Sequence, residues 1–258
     1  MPEIGVSTLH LLGEPFEKMA KKIIKMEIKH VEIVDEGLHS LNNRRVAKLK
    51  RFGKTYGLKF SVHAPFADIN IASPSRKLLK AMLKRLECSI KFARDLEACV
   101  WVFHPGLKTG VSMFYPQADW TQNCRTAQLL YNMAEEYGVK IAVENVPEPF
   151  PFVTKSVKDF ERFFKEVSED IYLTLDMGHS NINGQTQLFL ETFKDRIIHI
   201  HAHDNDGRED LHLGIGCGTV NWENFAKLLK AISYDKVIVV ESVEKVVESV
   251  GMLKSMFE

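Results

Sequence analysis

Short apolar, β-branched runs alternate with longer segments of helical periodicity along the whole chain. The runs are EIGVST from residue 3, VEIVD from 31, LKFSVH from 58, ACVWVFH from 98, VKIAVE from 139, IYLTLD from 171, RIIHIH from 196 and KVIVVE from 236. Between them the segments 15–29, 40–56, 73–96, 117–137, 156–167, 185–194, 221–232 and 243–257 read as helices. Ser73-Pro74 opens the third with Pro in its first turn, and Asn221 precedes the seventh. Gly53, Gly57 and Gly138 fall where helices should end. Strands alternating with helices require parallel pairing through right-handed crossovers. Eight such units in 258 residues, with no Ser/Gly-rich linker between them, predict one α/β domain over 1–258, a single (β/α)8 TIM barrel. The rival, a doubly wound open sheet, lacks its Gly-rich fingerprint after the first strand.

Composition changes this picture little. Hydrophobic residues make up 45% and charged residues 26%, which argues against disorder. The 34 Lys and Arg balance 34 Asp and Glu, so no charged tail drives binding to a polyanion, although a local basic patch remains compatible with the sum. The start, MPEIGVSTLHLLGEP, lacks the basic and apolar regions of a secretory signal. No apolar run approaches the roughly 18–20 residues of a membrane span. The four cysteines (Cys88, Cys99, Cys124, Cys217) form no CxxC pair. These features predict a cytoplasmic protein with reduced thiols and no membrane partner, each cysteine a small buried hydrophobe.

The ten histidines are the unusual feature, and their positions carry the chemistry. Catalytic groups in such barrels come from the C-terminal ends of strands. Strand 3 ends in His63, strand 4 in His104 and strand 5 in Glu144. Strand 6 ends in Asp176 with His179 three residues on, and strand 8 in Glu241. Imidazole with carboxylate suits a divalent ion such as Zn²⁺ or Mn²⁺, whereas Ca²⁺ prefers oxygen alone. More candidates are present than the four to six ligands of one ion, so the site is multinuclear or combines one ion with acid–base groups. Glu144 and Glu241, on opposite sides of the barrel mouth, are the candidates to move protons.

The loop after strand 7 adds Asp210 and His212 as further ligands. Gly214, Gly216 and Gly218 give a tight turn whose amides suit a phosphate. His199, His201 and His203 alternate and so share one face. His201 is the expected ligand, with His203 and Asp204 placed around the substrate or behind the ion. Arg208 and the aromatic groups Phe66, Phe114 and Tyr115 are the remaining expected substrate contacts. Phe114 and Tyr115 belong to a lid over 105–120, and Phe150 and Phe152 either stack on substrate or pack the loops. Glu32, Asp35 and Glu36 either meet substrate hydroxyls or are simply solvated. His10, His30 and His39 read as structural or surface residues.

HAPFADINIASP, FHPG, VENVPEP, LDMGHSN, IHIHAHDNDG and DLHLGIGCG, in that order, resemble the xylose-isomerase-like barrel superfamily. That superfamily joins sugar and sugar-phosphate isomerases and epimerases with the endonuclease IV class of abasic-site nucleases. The resemblance implies an isomerase-type single-metal site at Glu144, Asp176, His201 and Glu241. A nuclease-type trinuclear site adds His63, His104, His179, Asp210 and His212, so one to three ions are implied. Departures fall where the nuclease touches DNA. Phe66-Ala67 stands in place of its Tyr-Leu wedge, and EGLHSLNNRR lacks its Asn-Pro-Arg loop. Its D-T-C-H appears as Asp176-Met177-Gly178-His179, and its H-x-N-D as His201-Ala202-His203-Asp204. The mouth loops also offer few phosphate-neutralising groups, namely Lys108 and Arg208, with Arg44 and Arg45 the further candidates.

The expected function is a divalent-metal-dependent isomerase or epimerase acting on a sugar, sugar phosphate or polyol, with Glu144 and Glu241 moving the proton through an enediolate. The alternative is a multinuclear zinc phosphodiesterase of the endonuclease IV type. A metal-binding regulatory barrel and a lyase or dehydratase are the remaining readings. A small carbohydrate is the expected partner and nucleic acid the less favoured one; the sequence does not specify an oligomeric state.

Overall fold

The eight apolar runs become eight parallel strands: β1 (Glu3–Ser7), β2 (His30–Val34), β3 (Lys59–His63), β4 (Trp101–Phe103), β5 (Ile141–Glu144), β6 (Tyr172–Asp176), β7 (Ile197–Ala202) and β8 (Val237–Val240). They pair in sequence order, and β8 returns to β1 to close the barrel. The computed structural model describes residues 1–167 and 170–258. Each strand is covered inside by its neighbours' side chains and outside by helices, which is why the runs are apolar on both faces. All five residues of β2 are buried, as are the last three of β8.

Around the barrel run α1 (Phe16–Lys25), α2 (Asn43–Tyr56), α3 (Arg76–Asp95), α4 (Ala118–Glu136), α5 (Val157–Glu166), α6 (Met177–Ile182), α7 (Thr186–Phe193), α8 (Trp222–Ala231) and α9 (Val246–Phe257). Local signals set several of their ends. Asn42 and Asn221 cap α2 and α8 by accepting from Arg45 N and Asn224 N. Gly57 ends α2 in the left-handed region at φ +66°, where a side chain would be strained. Gly53, expected at a helix end, lies inside α2 instead. Pro74 precedes the Ser75 cap of α3 rather than occupying its first turn.

Ser156 and Asp159 form a reciprocal capping box at α5. This fixes Phe160, which packs on Phe163, Phe189 and Phe193 and seals α5 against α7. Ser156→Ala is expected to cost about 1 kcal/mol. For a domain of this size that is a fall of about 2–4 °C in the thermal midpoint, readable by calorimetry.

Cys88, Cys99, Cys124 and Cys217 are free thiols, but Cys99 and Cys217 are exposed, which corrects the expectation that every cysteine is buried. No helix among the described residues is long and apolar enough to cross a membrane.

Candidate functional site

Strand register sets the height of the chemical groups. Asp176 is paired with His201, and Glu144 with Thr174 two residues earlier on β6. His63 closes β3, and His104 follows the end of β4. The short helix α6, which periodicity cannot reveal in six residues, starts directly after β6. Asp176 caps it by accepting from His179 N at 2.7 Å, and this turn brings the His179 ring back over the mouth. All nine sequence-predicted ligands meet there.

Together with His203 they fall into three adjoining sets: His63, His104 and Glu144; Glu144, Asp176, His201 and Glu241; and His179, His203, Asp210 and His212. Within each set, one ligand atom per residue lies within 4.8 Å of every other. Glu144 joins the first two. Its Oε2 stands 3.3 Å from both His63 Nε2 and His104 Nε2, and its Oε1 stands 3.2 Å from His201 Nδ1. Glu241 Oε2 approaches the same His201 nitrogen at 3.5 Å, so the two glutamates expected on opposite sides converge on one point.

The histidine tautomers are set by backbone carbonyls. Nδ1–H of His63 donates to Ala64 O at 2.8 Å, that of His179 to Asn145 O at 2.8 Å, and that of His212 to Glu241 O at 3.0 Å. Each Nε2 is thereby aimed into the cluster, so that in the neutral ring its lone pair points there, the arrangement that metal-ligating histidines adopt. His201 is turned the other way, with Nε2 3.0 Å from the buried Glu32 and Nδ1 facing the carboxylates. Glu32 in turn accepts from His199 Nε2 at 2.8 Å. Asn145 braces Asp176, accepting from its N–H at 2.7 Å and donating to its carbonyl at 3.1 Å.

Burial raises carboxylate pKa values, yet His201 and His104 hold Glu144 well below the usual range. Burial likewise opposes protonated histidine, but Glu144 lifts His63 to about 9, Asp176 and Asp210 lift His179 to about 10, and Asp210 lifts His212 to about 9. His201 is also raised, by Glu241, Glu32 and Glu144 against its burial. At His104 burial prevails and the pKa falls.

The residues fit divalent ions. Asp176 Oδ2, His201 Nδ1, His203 Nε2 and Asp210 Oδ1 are buried polar atoms without a hydrogen-bond partner, and all four point into the cluster. Convergent buried carboxylates are costly unless a cation joins them. Because ligating histidines must be neutral, ion binding near pH 7 has to expel the protons that His179 and His212 hold up to about 10 and 9. Apparent affinity is therefore expected to rise with pH through that range. Calorimetric titration in buffers of different ionisation enthalpy should show protons released with each ion, and no buffer dependence at pH 7 would contradict these assignments.

His63, His104, Glu144, His179, Asp210, His212 and Glu241 line a cavity of about 570 Å³, while Asp176, His201 and His203 are buried behind that lining. The cavity wall includes Phe66, together with Phe150, Phe152 and Leu107. No Lys or Arg lines it among the described residues. Several expected contacts lie elsewhere. Phe114 and Tyr115 are 79% and 68% exposed on a loop tip, while the base of that loop is pinned through Gly106 N to Asn123 and Thr109 to Asp119. Arg208 is exposed outside the cavity.

Asp204 is buried and accepts from Asn205 N, Gly216 N, Val220 N and Trp222 Nε1, so it staples the loop and has no lone pair to spare for substrate. The same contact takes the Gly216 amide away from any phosphate. His203, expected beside the substrate, is buried in the third ligand set. Asp35 binds Arg85, and Glu36 accepts from Phe66 N and Ala67 N, so both are structural. His30 and His39 are buried and structural, as read, bonded to Ser61 and Glu14 O.

A family model described as xylose isomerase-like TIM barrel matches residues 19–256. A solved structure described as a D-tagatose 3-epimerase-like protein shares 32% identity at a TM-score of 0.92, covering 98% of this chain and 96% of that one. An uncharacterized protein of Methanocaldococcus jannaschii is 33% identical over 99% of this chain and 89% of its own length. A probable endonuclease 4 of Aquifex aeolicus is 28% identical over 66% of this chain and 64% of its own. With the model covering nearly the full length and the motif residues gathered at one barrel mouth, the chain belongs to the xylose isomerase-like TIM barrel family.

Proposed function

We propose that the protein is a divalent-metal-dependent isomerase or epimerase of a small sugar or polyol. The observation that carries this reading is the convergence of Glu144, Asp176, His201 and Glu241, of which Glu144 and Glu241 line a cavity walled by aromatic and aliphatic side chains. An ion held by that set supplies Lewis-acid polarisation of a substrate carbonyl and the adjacent hydroxyl. Glu144 reaches the reacting carbon from β5 and Glu241 from β8. One removes the carbon-bound proton and the other returns it, through an enediolate. His201 keeps its orientation because Glu32 and His199 lie behind it. Phe66, Phe150 and Phe152 present faces suited to the C–H side of a sugar. The absence of Lys and Arg from the described lining favours an unphosphorylated substrate. The 32% likeness to a D-tagatose 3-epimerase-like protein supports the same choice.

The test is incubation of the metal-loaded protein with ketoses, aldoses and polyols in deuterated water. Deuterium at the carbon next to the carbonyl, lost with chelator, is the expected result. No exchange with any of them would overturn the reading.

A second reading, the multinuclear zinc phosphodiesterase, is favoured by one observation: the two oxygens of Glu144 belong to two adjoining ligand sets, the bridging role that multinuclear sites need. Chelator-sensitive nicking of an abasic duplex at low salt would support it, and no nicking with any added metal would reject it.

A further inference from the structure

Two departures from the nuclease motif pattern are coupled in space. The glycine of Asp176-Met177-Gly178-His179 is on α6, and the second histidine of His201-Ala202-His203-Asp204 follows β7. A Cβ placed on Gly178 would stand 2.0 Å from His203 Cε1 and 2.5 Å from both ring nitrogens. Any other residue at 178 would expel the imidazole, so Gly178 creates the space that His203 fills.

The ring in that space is fully buried and stacks on His212, with centroids 3.8 Å apart and planes at 17°. Its Nδ1 faces Asp204 O at 3.4 Å, and its Nε2, without a hydrogen-bond partner, points at Asp176 and Asp210. His212 Nε2 and His203 Nε2 stand 3.4 and 3.7 Å from Asp210 Oδ1, His179 Nε2 stands 3.3 Å from the other carboxylate oxygen, Oδ2, and one ligand atom from each of the four residues lies within 4.8 Å of every other. Zinc bonds of 2.0–2.1 Å to nitrogen and oxygen give a tetrahedron with edges of about 3.3–3.4 Å. On the shared oxygen Oδ1, the 3.4 Å separation of His212 matches such an edge and the 3.7 Å separation of His203 exceeds it by a few tenths of an ångström.

We infer that His203 is a fourth protein ligand of the third ion, completing a closed three-histidine, one-aspartate site that Gly178 makes room for. The inference rests on the proposed metal dependence. A site with four protein ligands has no open position for substrate, which is the signature of a structural ion. This ion ties α6 to the loop carrying Asp210 and His212. Proton transfer then belongs to the set of Glu144, Asp176, His201 and Glu241, whereas a trinuclear phosphodiesterase would need the third ion open to a phosphate oxygen.

The experiment loads the full chain with zinc and follows the ions remaining per chain during graded chelation, for wild type, His203→Asn and Gly178→Ala. Wild type should retain one ion after the others have left. Both variants should release that ion at least about 10-fold faster, the scale on which support for a metal site is lost. Gly178→Ala displaces the ring without removing it, so it carries the test if His203→Asn fails to fold. Cobalt substituted for the retained ion should show the intense visible bands of four-coordinate geometry in wild type and lose them in the variants. Retention at the wild-type rate in the variants would overturn this inference and leave the metal reading standing. A wild-type chain that binds no zinc or cobalt would overturn both.

Discussion

Glu241→Gln is expected to lower turnover of a responsive sugar by about 10²–10⁴-fold, the usual contribution of a positioned general acid or base. The substitution keeps the side-chain volume and an oxygen facing His201, so the buried cluster stays packed. It removes the capacity to accept a proton. Glu241 is the cleaner of the two glutamates to change because Glu144 touches His63, His104, His179 and His201 at once. Glu144→Gln should therefore lose metal content as well as rate. Glu241→Gln keeps an oxygen toward the central set and should lose less metal than Glu144→Gln; with metal content restored to the wild-type level, the fall should lie in kcat with KM little changed, since a group acting in the transition state lowers kcat and kcat/KM together. Solvent deuterium entering the substrate is the decisive readout. If exchange persists in both variants, the two-carboxylate mechanism fails.

The barrel was legible because parallel strands covered on both sides must be short and apolar. Their C-terminal ends then had to lie at one mouth, which placed nine ligand candidates without any knowledge of side-chain conformation. Depth was not legible. Alternation places His199, His201 and His203 on one face of β7, yet they serve three different purposes. His199 buttresses Glu32, His201 meets the central carboxylates, and His203 joins the third set. Glu32 read as solvated or substrate-facing because a carboxylate near a strand end usually is. It is buried because His199 and His201 offset its charge from below and above, holding its pKa down against burial. Asp204 looked like a substrate group for a similar reason. Its partners are backbone amides up to sixteen residues away and one indole, a loop closure no local pattern announces.

The zero net charge also concealed an arrangement. Residues 43–95, which include α2 and α3, hold 14 Lys and Arg against 3 Asp and Glu, leaving 20 against 31 in the rest. The excess negative charge includes Glu32, Glu144, Asp176, Asp210 and Glu241 at the cluster, while the basic residues of 43–95 sit on α2, α3 and the first residue of β3, and none of them lines the cavity. The field at the mouth therefore favours cations and repels an anionic substrate until ions are bound.

Removing the ions is expected to lower the midpoint of thermal unfolding by about 5–11 °C for each ion stripped. An ion present at a hundred times its dissociation constant stabilises the folded chain by about 2.7 kcal/mol, because the unfolded chain has no formed site. A domain of this length shifts by about 2–4 °C per kcal/mol. The direction follows from the cluster itself. Glu144, Asp176 and Glu241 are at most 4% exposed, and protonated histidines offset their repulsion only in part. The loss should exceed that from Ser156→Ala, since a helix cap at the rim affects one turn while the cluster joins β3, β5, β6, β7 and β8. Returning zinc or manganese should restore the midpoint in a concentration-dependent way, the mark of linkage rather than of damage by the chelator. Protein verified as metal-free with an unchanged midpoint would show that these carboxylates are satisfied by protons alone, and both metal-based readings of the site would fall with that result.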